Sequence, residues 1–452
     1  MRKGPYLIYP GTNTEMQVLW QLTAAETCSL EWGTDLTYSL GSAETAEYGG
    51  DHQHAYTIPG LSPGALYYYR VSVAAEEYTG SFRAAPSTDA SQVKFIAYGD
   101  TRSYPADHDG VAASMISEYL ADPAFQTMLI SVGDLINNGN LEADWDNQFF
   151  DPAYTNIQTM LATMPYQSCM GNHEGTGVLF TKYFPYPFVS GRYWSFDYGP
   201  AHFVCVDQYT SYSSGSPQLT WIENDLAAST KLWNFIYLHE PGWTSGHHEN
   251  NTTVQTYIQP LCEQYGVPIV FGGHNHYYSR GLVNGVHHIT TGGGGAPPYS
   301  PTPGQPYIVY AISAYHYCMV EIDGYSLDFT ARTRSGTVID TFSVDLPQAA
   351  VGYEDPDVPP QALSLSPAGP NPFARSTVLS FSVPEAAHVD LGIYAVGGRR
   401  IRTLVDGMQG AGYHSTEWDG RDESGNDVSS GIYFCRLQTK DAWLTRKLIL
   451  AE

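Results

Sequence analysis

Five largely apolar runs in the middle of this 452-residue chain each close on a short cluster of metal-ligating side chains, four of the clusters opening with glycine. The runs are residues 94–98, 128–132, 166–170, 235–238 and 268–271. The clusters are Gly99-Asp100-Thr101-Arg102, Gly133-Asp134-Leu135-Ile136-Asn137, Gly171-Asn172-His173-Glu174, His239-Glu240-Pro241 and Gly272-Gly273-His274-Asn275-His276. Short apolar runs bounded by turn residues read as buried strands. In a layered α/β sheet such strands end on one rim, where ligands bind. Segments far apart in sequence would then deliver Asp, Asn and His to one point.

Those residue types suit one chemistry. Carboxylates and neutral imidazoles bind ions such as Zn, Fe and Mn. A carboxylate can bridge two ions, and an Asn oxygen adds a ligand without adding charge. Two ions about 3.5–4 Å apart clamp a phosphoryl group and lower the pKa of a bound water toward neutrality. A glycine before Asp100, Asp134, Asn172 and His274 permits a sharp turn.

The order Asp, Asp, Asn-His, His, His-x-His resembles the calcineurin-like metallophosphoesterase superfamily, and within it the purple acid phosphatase branch, over roughly residues 92–346. The resemblance implies a bridging Asp134, a first metal held by Asp100 and His276, and a second held by Asn172, His239 and His274. It implies that His173 is a non-ligand histidine that steadies the transition state or protonates the leaving oxygen. His247-His248 is similar to the pair that purple acid phosphatases aim at the substrate phosphate. The implied cofactor is two divalent or trivalent ions, with Fe, Zn or Mn as candidates. The implied reaction is attack of metal-activated hydroxide on phosphorus of a phosphate monoester.

Two positions depart from the family. Purple acid phosphatases carry Tyr three residues after the bridging Asp, where this chain has Asn137. Other members place His two residues after the first Asp, where this chain has Arg102. A guanidinium does not ligate metal, but its fork fits phosphate oxygens. The first metal therefore has three assigned protein ligands, completed by water, by Asn137 or by a loop residue such as His108.

Other histidines read as structural. His202, in Ala201-His202-Phe203-Val204, is expected to be hydrogen-bonded in a strand. His287-His288 is expected in a sheet near the site, without ligating. The run Gly292-Gly293-Gly294-Gly295 follows a strand with no helix after it, so a flexible rim loop is expected and not a phosphate cradle. Glu174 is expected to orient His173 or cap a turn.

Around this core, residues 1–88 read as all-β. The segment Ile58-Pro59-Gly60-Leu61-Ser62-Pro63-Gly64-Ala65-Leu66-Tyr67-Tyr68-Tyr69-Arg70-Val71 resembles a fibronectin type III sandwich, the module that purple acid phosphatases carry ahead of the catalytic domain. It is expected to act as a spacer packed on the enzyme. Residues 91–346 alternate strand and helix, with helices expected at 111–120, 141–160, 218–227 and 254–265. Strands at 315–323 and 327–332 are expected to complete a second sheet. Residues 347–362 read as a linker. Residues 363–452 form a second β domain whose Trp418-Asp419-Gly420 and Gly431-Ile432-Tyr433 resemble the immunoglobulin-like domain of flagellar hook-cap proteins. Its last strand is similar to a type IX secretion sorting signal. The fold class expected is therefore multidomain: a central four-layer αββα metallophosphoesterase sandwich between two all-β sandwiches.

Charge narrows the partners. There are 21 basic and 46 acidic residues, a net charge of −25. Such a surface repels duplex nucleic acid and anionic membranes. No apolar run is long enough to span a bilayer. Met1-Arg2-Lys3 has no apolar core behind it, so it is not expected to be a complete secretion signal, which leaves a cytoplasmic protein or one whose signal has been removed. With the C-terminal resemblance, the expectation is a secreted or surface-attached phosphoesterase, with secretion machinery as a partner. Two alternatives stay open: a phosphodiesterase or nucleotidase with the same metals, and a non-catalytic binder of phosphate or glycan. The six cysteines include no CxxC pair, and a disulfide stays open.

Overall fold

A computed structural model describes residues 1–48, 50–122, 128–346, 363–365, 373, 375–395, 398–440 and 442–451. The chain divides into two compact units, Met1–Val344 and Asp345–Glu452. The linker expected at 347–362 lies outside the described residues.

The first unit opens with seven strands: β1 (Lys3–Ile8), β2 (Met16–Gln21), β3 (Cys28–Gly33), β4 (Gly41–Thr45), β5 (Gln53–Ile58), β6 (Leu66–Val73) and β7 (Glu76–Arg83). They form antiparallel sheets of order β1-β2-β5 and β4-β3-β6-β7. Alternating side chains such as Val18, Trp20, Leu30, Tyr69 and Val71 fill the space between them. Hydrogen bonds fasten this sandwich to the rest of the first unit. Lys3 is fully buried, and its ammonium donates to Gln21, Glu142 and Asp146. The Tyr6 hydroxyl donates to the Tyr183 carbonyl at 2.8 Å, and the Tyr9 hydroxyl to that of Asp197 at 2.9 Å.

Two further sheets build the central sandwich. One contains β8 (Gln92–Tyr98), β9 (Leu129–Ser131) and β10 (Tyr166–Ser168). The other contains β11 (Trp194–Tyr198), β12 (Ala201–Cys205), β13 (Trp233–Tyr237), β14 (Ile269–Gly272), β15 (Tyr278–Val283), β16 (Val286–Thr291) and β17 (Ile308–Ile312). The late strands β18 (His316–Asp323), β19 (Ser326–Thr333) and β20 (Val338–Asp345) do not complete that second sheet, as the sequence suggested. β18 pairs antiparallel with β8, so the first sheet reads β10-β9-β8-β18-β19-β20. Residues 316–320 are buried on both faces, which suits an inner strand and not an added edge.

Helices cover the outer faces: α1 (Pro105–Ala121), the single turn α2 (Glu142–Asp144), α3 (Thr155–Leu161), α4 (Val178–Tyr183), α5 (Pro217–Ala228) and α6 (Gln259–Tyr265). Ser216 caps α5 by accepting Leu219 N–H at 3.2 Å, with Pro217 in the first turn. The single helix expected over 141–160 is broken. A π-helical turn spans Trp145–Phe149 and α3 starts only at Thr155. Pro152 lacks an N–H and disfavours helical backbone at Asp151, so the chain leaves the helix there. Between the sheets, Phe95 meets Phe203, Phe235 and Phe271 edge-on at centroid distances of 5.0, 5.2 and 6.0 Å. Burying each ring stabilises the fold by about 1.5–3 kcal/mol. The four-layer αββα sandwich is thus present. All six cysteines are buried free thiols, so no disulfide forms.

The second unit is itself a two-sheet sandwich. Its strands are β21 (Ser364–Leu365), β22 (Thr377–Val383), β23 (Ala387–Ala395), β24 (Arg400–Gln409), β25 (Gly412–Trp418), β26 (Gly431–Gln438) and β27 (Trp443–Leu450). The sheets are β21-β22-β25 and β24-β23-β26-β27. Trp418 is fully buried, against Phe373 and Tyr433. No helix among the described residues is long and apolar enough to cross a membrane.

Candidate metal centre

Strands β8, β9 and β10 run parallel, as do β12, β13, β14 and β16, so their C-terminal ends share a rim. The loops leaving them are stitched together by backbone. Asp100 N–H donates to Gly133 O at 2.9 Å, Gly273 N–H to His239 O at 2.7 Å, and Gly294 N–H to Gly99 O at 2.8 Å. Asp100, Asp134 and His274 all sit in the left-handed region, at φ 55°, 54° and 66°. Non-glycine residues persist there only where their surroundings hold them, and such positions cluster at functional sites. The turn thus falls on these side-chain-bearing residues as well as on the glycine Gly133, at φ 88°.

Four donors meet below this rim. Asp134, His239 and His274 bring three ligand atoms within 4.8 Å of one another, the one such group among the described residues. His239 Nε2 lies 3.3 Å from Asp134 Oδ1 and 3.1 Å from Asn172 Oδ1. Its Nδ1 faces the Val132 carbonyl at 2.7 Å, which fixes the tautomer and turns Nε2 toward the centre. Burial opposes a charge on His239, but Asp134 and then Asp100 outweigh it and lift its pKa to about 10. Burial likewise opposes ionisation of Asp134, yet His239 and His173 hold it well below the usual carboxylate range. Burial lowers His274 and His276 to about 3, keeping both imidazoles neutral, the state that ligates metal. The pocket thus joins a carboxylate, an amide oxygen and a neutral imidazole to a His239 proton that a bound ion would displace.

Supporting residues were less visible in the sequence. Glu174 is fully buried and does more than cap a turn. It accepts the backbone N–H groups of Asp134 at 3.0 Å, Leu135 at 2.8 Å and Gly171 at 2.6 Å. Burial and the Asp134 charge raise it to about 7, against those N–H donors. Gln208 accepts the N–H of His239 at 2.9 Å and of Glu240 at 2.5 Å. Gln148 accepts from Ser103 and Asn137, each at 2.9 Å. Glu174 closes one of the five clusters, whereas Gln148 and Gln208 lie outside all of them and carried no signal in the sequence.

Beside the donors opens a cleft of about 540 Å³, lined by Arg102, Tyr104, Asn137, Gln148, His276 and Tyr299 among others and by nothing from residues 1–88. His173 donates from Nδ1 to the Asn137 carbonyl at 2.6 Å, and its Nε2 lies 3.9 Å from Asp134 Oδ2. His247 stacks on Tyr299 at 3.5 Å, Tyr299 on His276 at 4.1 Å, and His248 on His274 at 3.9 Å. The histidine pair thus braces two rings of the His-x-His cluster. Tyr299 comes from the loop after the glycine run and carried no sequence signal.

That glycine run is not a flexible loop. Residues 292–295 are buried, and a Cβ on Gly293 would stand 2.1 Å from His316 Nδ1. The glycines are there because the sheet ends press against them. His108 is not a loop ligand either: it lies inside α1, fully buried, with Nε2 3.1 Å from the Tyr98 hydroxyl. Asn137 is exposed at the cleft wall, its Oδ1 accepting from Ser103 at 3.3 Å. His202 bridges Asp197 and Asp225 at 2.8 and 2.9 Å. His288, in β16, bonds Gln259 of α6, and His287 stacks on Phe342.

The second-metal donors therefore fit an ion: an anionic oxygen, an amide oxygen and the neutral His274 imidazole converge with His239, whose Nε2 would ligate on giving up its proton. The first-metal set does not. Asp100, Asp134 and His276 form no comparable group. The Arg102 guanidinium stands among them, NH2 3.3 Å from His276 Nε2 and Nε 3.5 Å from Asp134 Oδ2.

Residues 94–278 match the calcineurin-like phosphoesterase family, and residues 371–442 match the FlgD Ig-like domain. Purple acid phosphatase 23 of Arabidopsis thaliana is 26% identical over 278 residues, covering 52% of this chain and 59% of that protein. Acid phosphatase type 7 of Mus musculus is 27% identical over 315 residues, covering 61% and 69%. The chain spans a little over half the length of purple acid phosphatases 23 and 21 of Arabidopsis thaliana. Among solved structures, purple acid phosphatase PPD1 from yellow lupin superposes with a TM-score of 0.64 at 20% identity, covering 76% of this chain and 74% of that one. PhoD superposes at 0.60 with 14% identity, covering 76% and 90%. Both likenesses are of fold.

Proposed function

We propose that this chain, whose central domain is a calcineurin-like phosphoesterase with purple acid phosphatases among its relatives, hydrolyses phosphate monoesters with metal held by Asp134, Asn172, His239 and His274. The observation that carries this is the convergence of those donors beside an open cleft bordered by a guanidinium. A bound ion there would polarise a phosphoryl oxygen and make water a better nucleophile at neutral pH.

The chain's own groups account for the rest. Arg102 offers N–H groups to phosphoryl oxygens as negative charge grows on them. His173, held by the Asn137 carbonyl, presents Nε2 as proton donor to the departing alcohol oxygen. His247 and His248 keep Tyr299, His276 and His274 in place and border the substrate's approach. Residues 1–88 act as a spacer. Their sheet orders, β1-β2-β5 and β4-β3-β6-β7, support a fibronectin type III-like reading. The Ig-like module supports export or surface attachment, to be tested by fractionation of cells expressing the full chain.

The deciding experiment measures hydrolysis of a panel of mono- and diesters by protein reloaded with Zn, Mn or Fe, for the native chain and for N172A. Turnover of monoesters that falls at least tenfold in N172A is expected. Metal uptake without hydrolysis of any ester sinks the reading in favour of a phosphate binder. Preference for diesters moves the substrate class.

A further inference from the structure

The first cation of a two-ion centre would need lone pairs from Asp100, Asp134 and His276. In this chain one of those lone pairs is already committed. His276 Nδ1 faces the Pro297 carbonyl at 3.1 Å, so it carries the proton and Nε2 carries the lone pair. Toward that lone pair Arg102 donates from NH2, at 3.3 Å. A nitrogen lone pair cannot accept a guanidinium proton and bind an ion at once. Asp134 is divided in the same way: Oδ1 faces His239 of the second-metal set, whereas Oδ2 faces Arg102 Nε at 3.5 Å and His173 Nε2. Both oxygens of Asp100 accept the His274 N–H, each at 3.0 Å, and Oδ1 lies 3.6 Å from His276 Nε2, farther than the Arg102 nitrogen at 3.3 Å. Asn137, the remaining candidate, is exposed and bonded to Ser103.

Resting on the phosphoesterase reading above, we propose that the Arg102 guanidinium fills the place of the first cation, so that the centre works with one resident metal and one fixed organic positive charge. Arg102 is suited to this. An arginine brings a fixed positive charge, and its planar fork can meet phosphoryl oxygens in pairs. Its side chain is only 15% exposed, and Nε is buried without a hydrogen-bond partner among the described residues. That N–H faces the Asp134 carboxylate at 3.5 Å without hydrogen-bonding it. The backbone holds it there: Arg102 N–H donates to Asp134 O at 3.2 Å, and Ser103, at φ 75°, is pinned by Gln148. A dication entering the Asp100–His276 notch would have to displace a guanidinium that contacts two of its would-be ligands. Arg102 thus also accounts for the missing Tyr at Asn137, since a site that binds no ion needs no fourth ligand.

The test is metal stoichiometry. Protein saturated with Mn or Zn and freed of excess by gel filtration is assayed by mass spectrometry of the metal and, for Mn, by electron paramagnetic resonance. The native chain should hold one equivalent, with the spectrum of an isolated ion. H276A should still hold one, and H274A should hold less than a tenth of that. R102H, which puts an imidazole two residues after Asp100, should take up a second equivalent and show exchange coupling. Should R102H fail to fold, native protein and H276A decide alone. Two equivalents in the native chain, or loss of metal in H276A, overturns the assignment. Hydrolysis with two bound ions would sink this inference and leave the phosphoesterase reading standing; one bound ion with no ester hydrolysed would do the reverse.

Discussion

Glu174 holds the loop of Asp134 by its backbone: Oε2 accepts the Asp134 N–H at 3.0 Å while Oε1 takes that of Leu135 at 2.8 Å. The same Oε2 takes the N–H of Gly171, one residue before Asn172. One buried carboxylate therefore sets the spacing between two loops that supply metal donors. The positive φ of Asp134 is held by that grip, and the Asp134 carboxylate returns it by accepting the His173 N–H at 2.9 Å.

Removing the clamp should cost stability and geometry together. E174A would leave three buried N–H groups without an acceptor, each worth about 1–3 kcal/mol. We expect a loss of about 3 kcal/mol or more in urea unfolding, with metal affinity falling in the same variant. E174Q keeps one acceptor oxygen and should lose less. A change below about 0.5 kcal/mol for E174A would show that water replaces the clamp.

Gly171 tests the same contact from the other side. Its backbone, at φ −101°, accepts any residue. The obstacle is space: a Cβ would stand 2.3 Å from Asp134 Oδ1 and 2.6 Å from Asp134 N. G171A should therefore push Asp134 off the donor set, weakening metal binding at least tenfold by titration while circular dichroism stays native. Unchanged metal affinity would mean that the Asp134 loop can yield.

How much of this was open to reading in the sequence depended on locality. The donors were legible because each closes an apolar run, and parallel strands leave little choice of where their ends go. Asp134, Asn172, His239 and His274 are of that kind. Arg102 was legible as a residue where a ligand was expected, but not its contact with His276, since that depends on how two loops stack. Tyr299 was hidden because it follows the glycine run by four residues with no pattern around it. The run itself misled: four glycines suggest freedom, yet His316, Gly99 and Thr101 leave no room for a Cβ at 293–295. The helix over 141–160 failed at Pro152, a local signal outvoted by the longer apolar pattern. The place of β18 beside β8 was not decidable from strand patterns, which do not specify partners.

His173 should matter in proportion to the leaving group. Its Nδ1–H is spent on the Asn137 carbonyl, so only Nε2 can serve an oxygen. For alkyl phosphates, whose alcohols need a proton, H173A should lower kcat by about 10²–10⁴-fold. For p-nitrophenyl phosphate, which departs readily as an anion, the loss should be much smaller. Equal losses on both, measured as kcat across a leaving-group series, would leave His173 with a binding role only.

His202 gives the fold a pH dependence separate from the centre. It lies between Asp197 and Asp225, and although burial works against its charge, the two carboxylates lift its pKa to about 9. A histidine raised from its ordinary value stabilises the fold fully below that ordinary value of about 6.5, and the contribution disappears as pH climbs through the folded value. Over that window the loss amounts to up to about 3 kcal/mol. Native protein should therefore unfold at lower temperature at pH 9.5 than at pH 6.5. H202Q should be less stable than native at pH 6.5, with the gap closing toward pH 9.5. The measurement is Tm across that range for both proteins, and a gap that is constant with pH would show that His202 stays neutral between its two carboxylates.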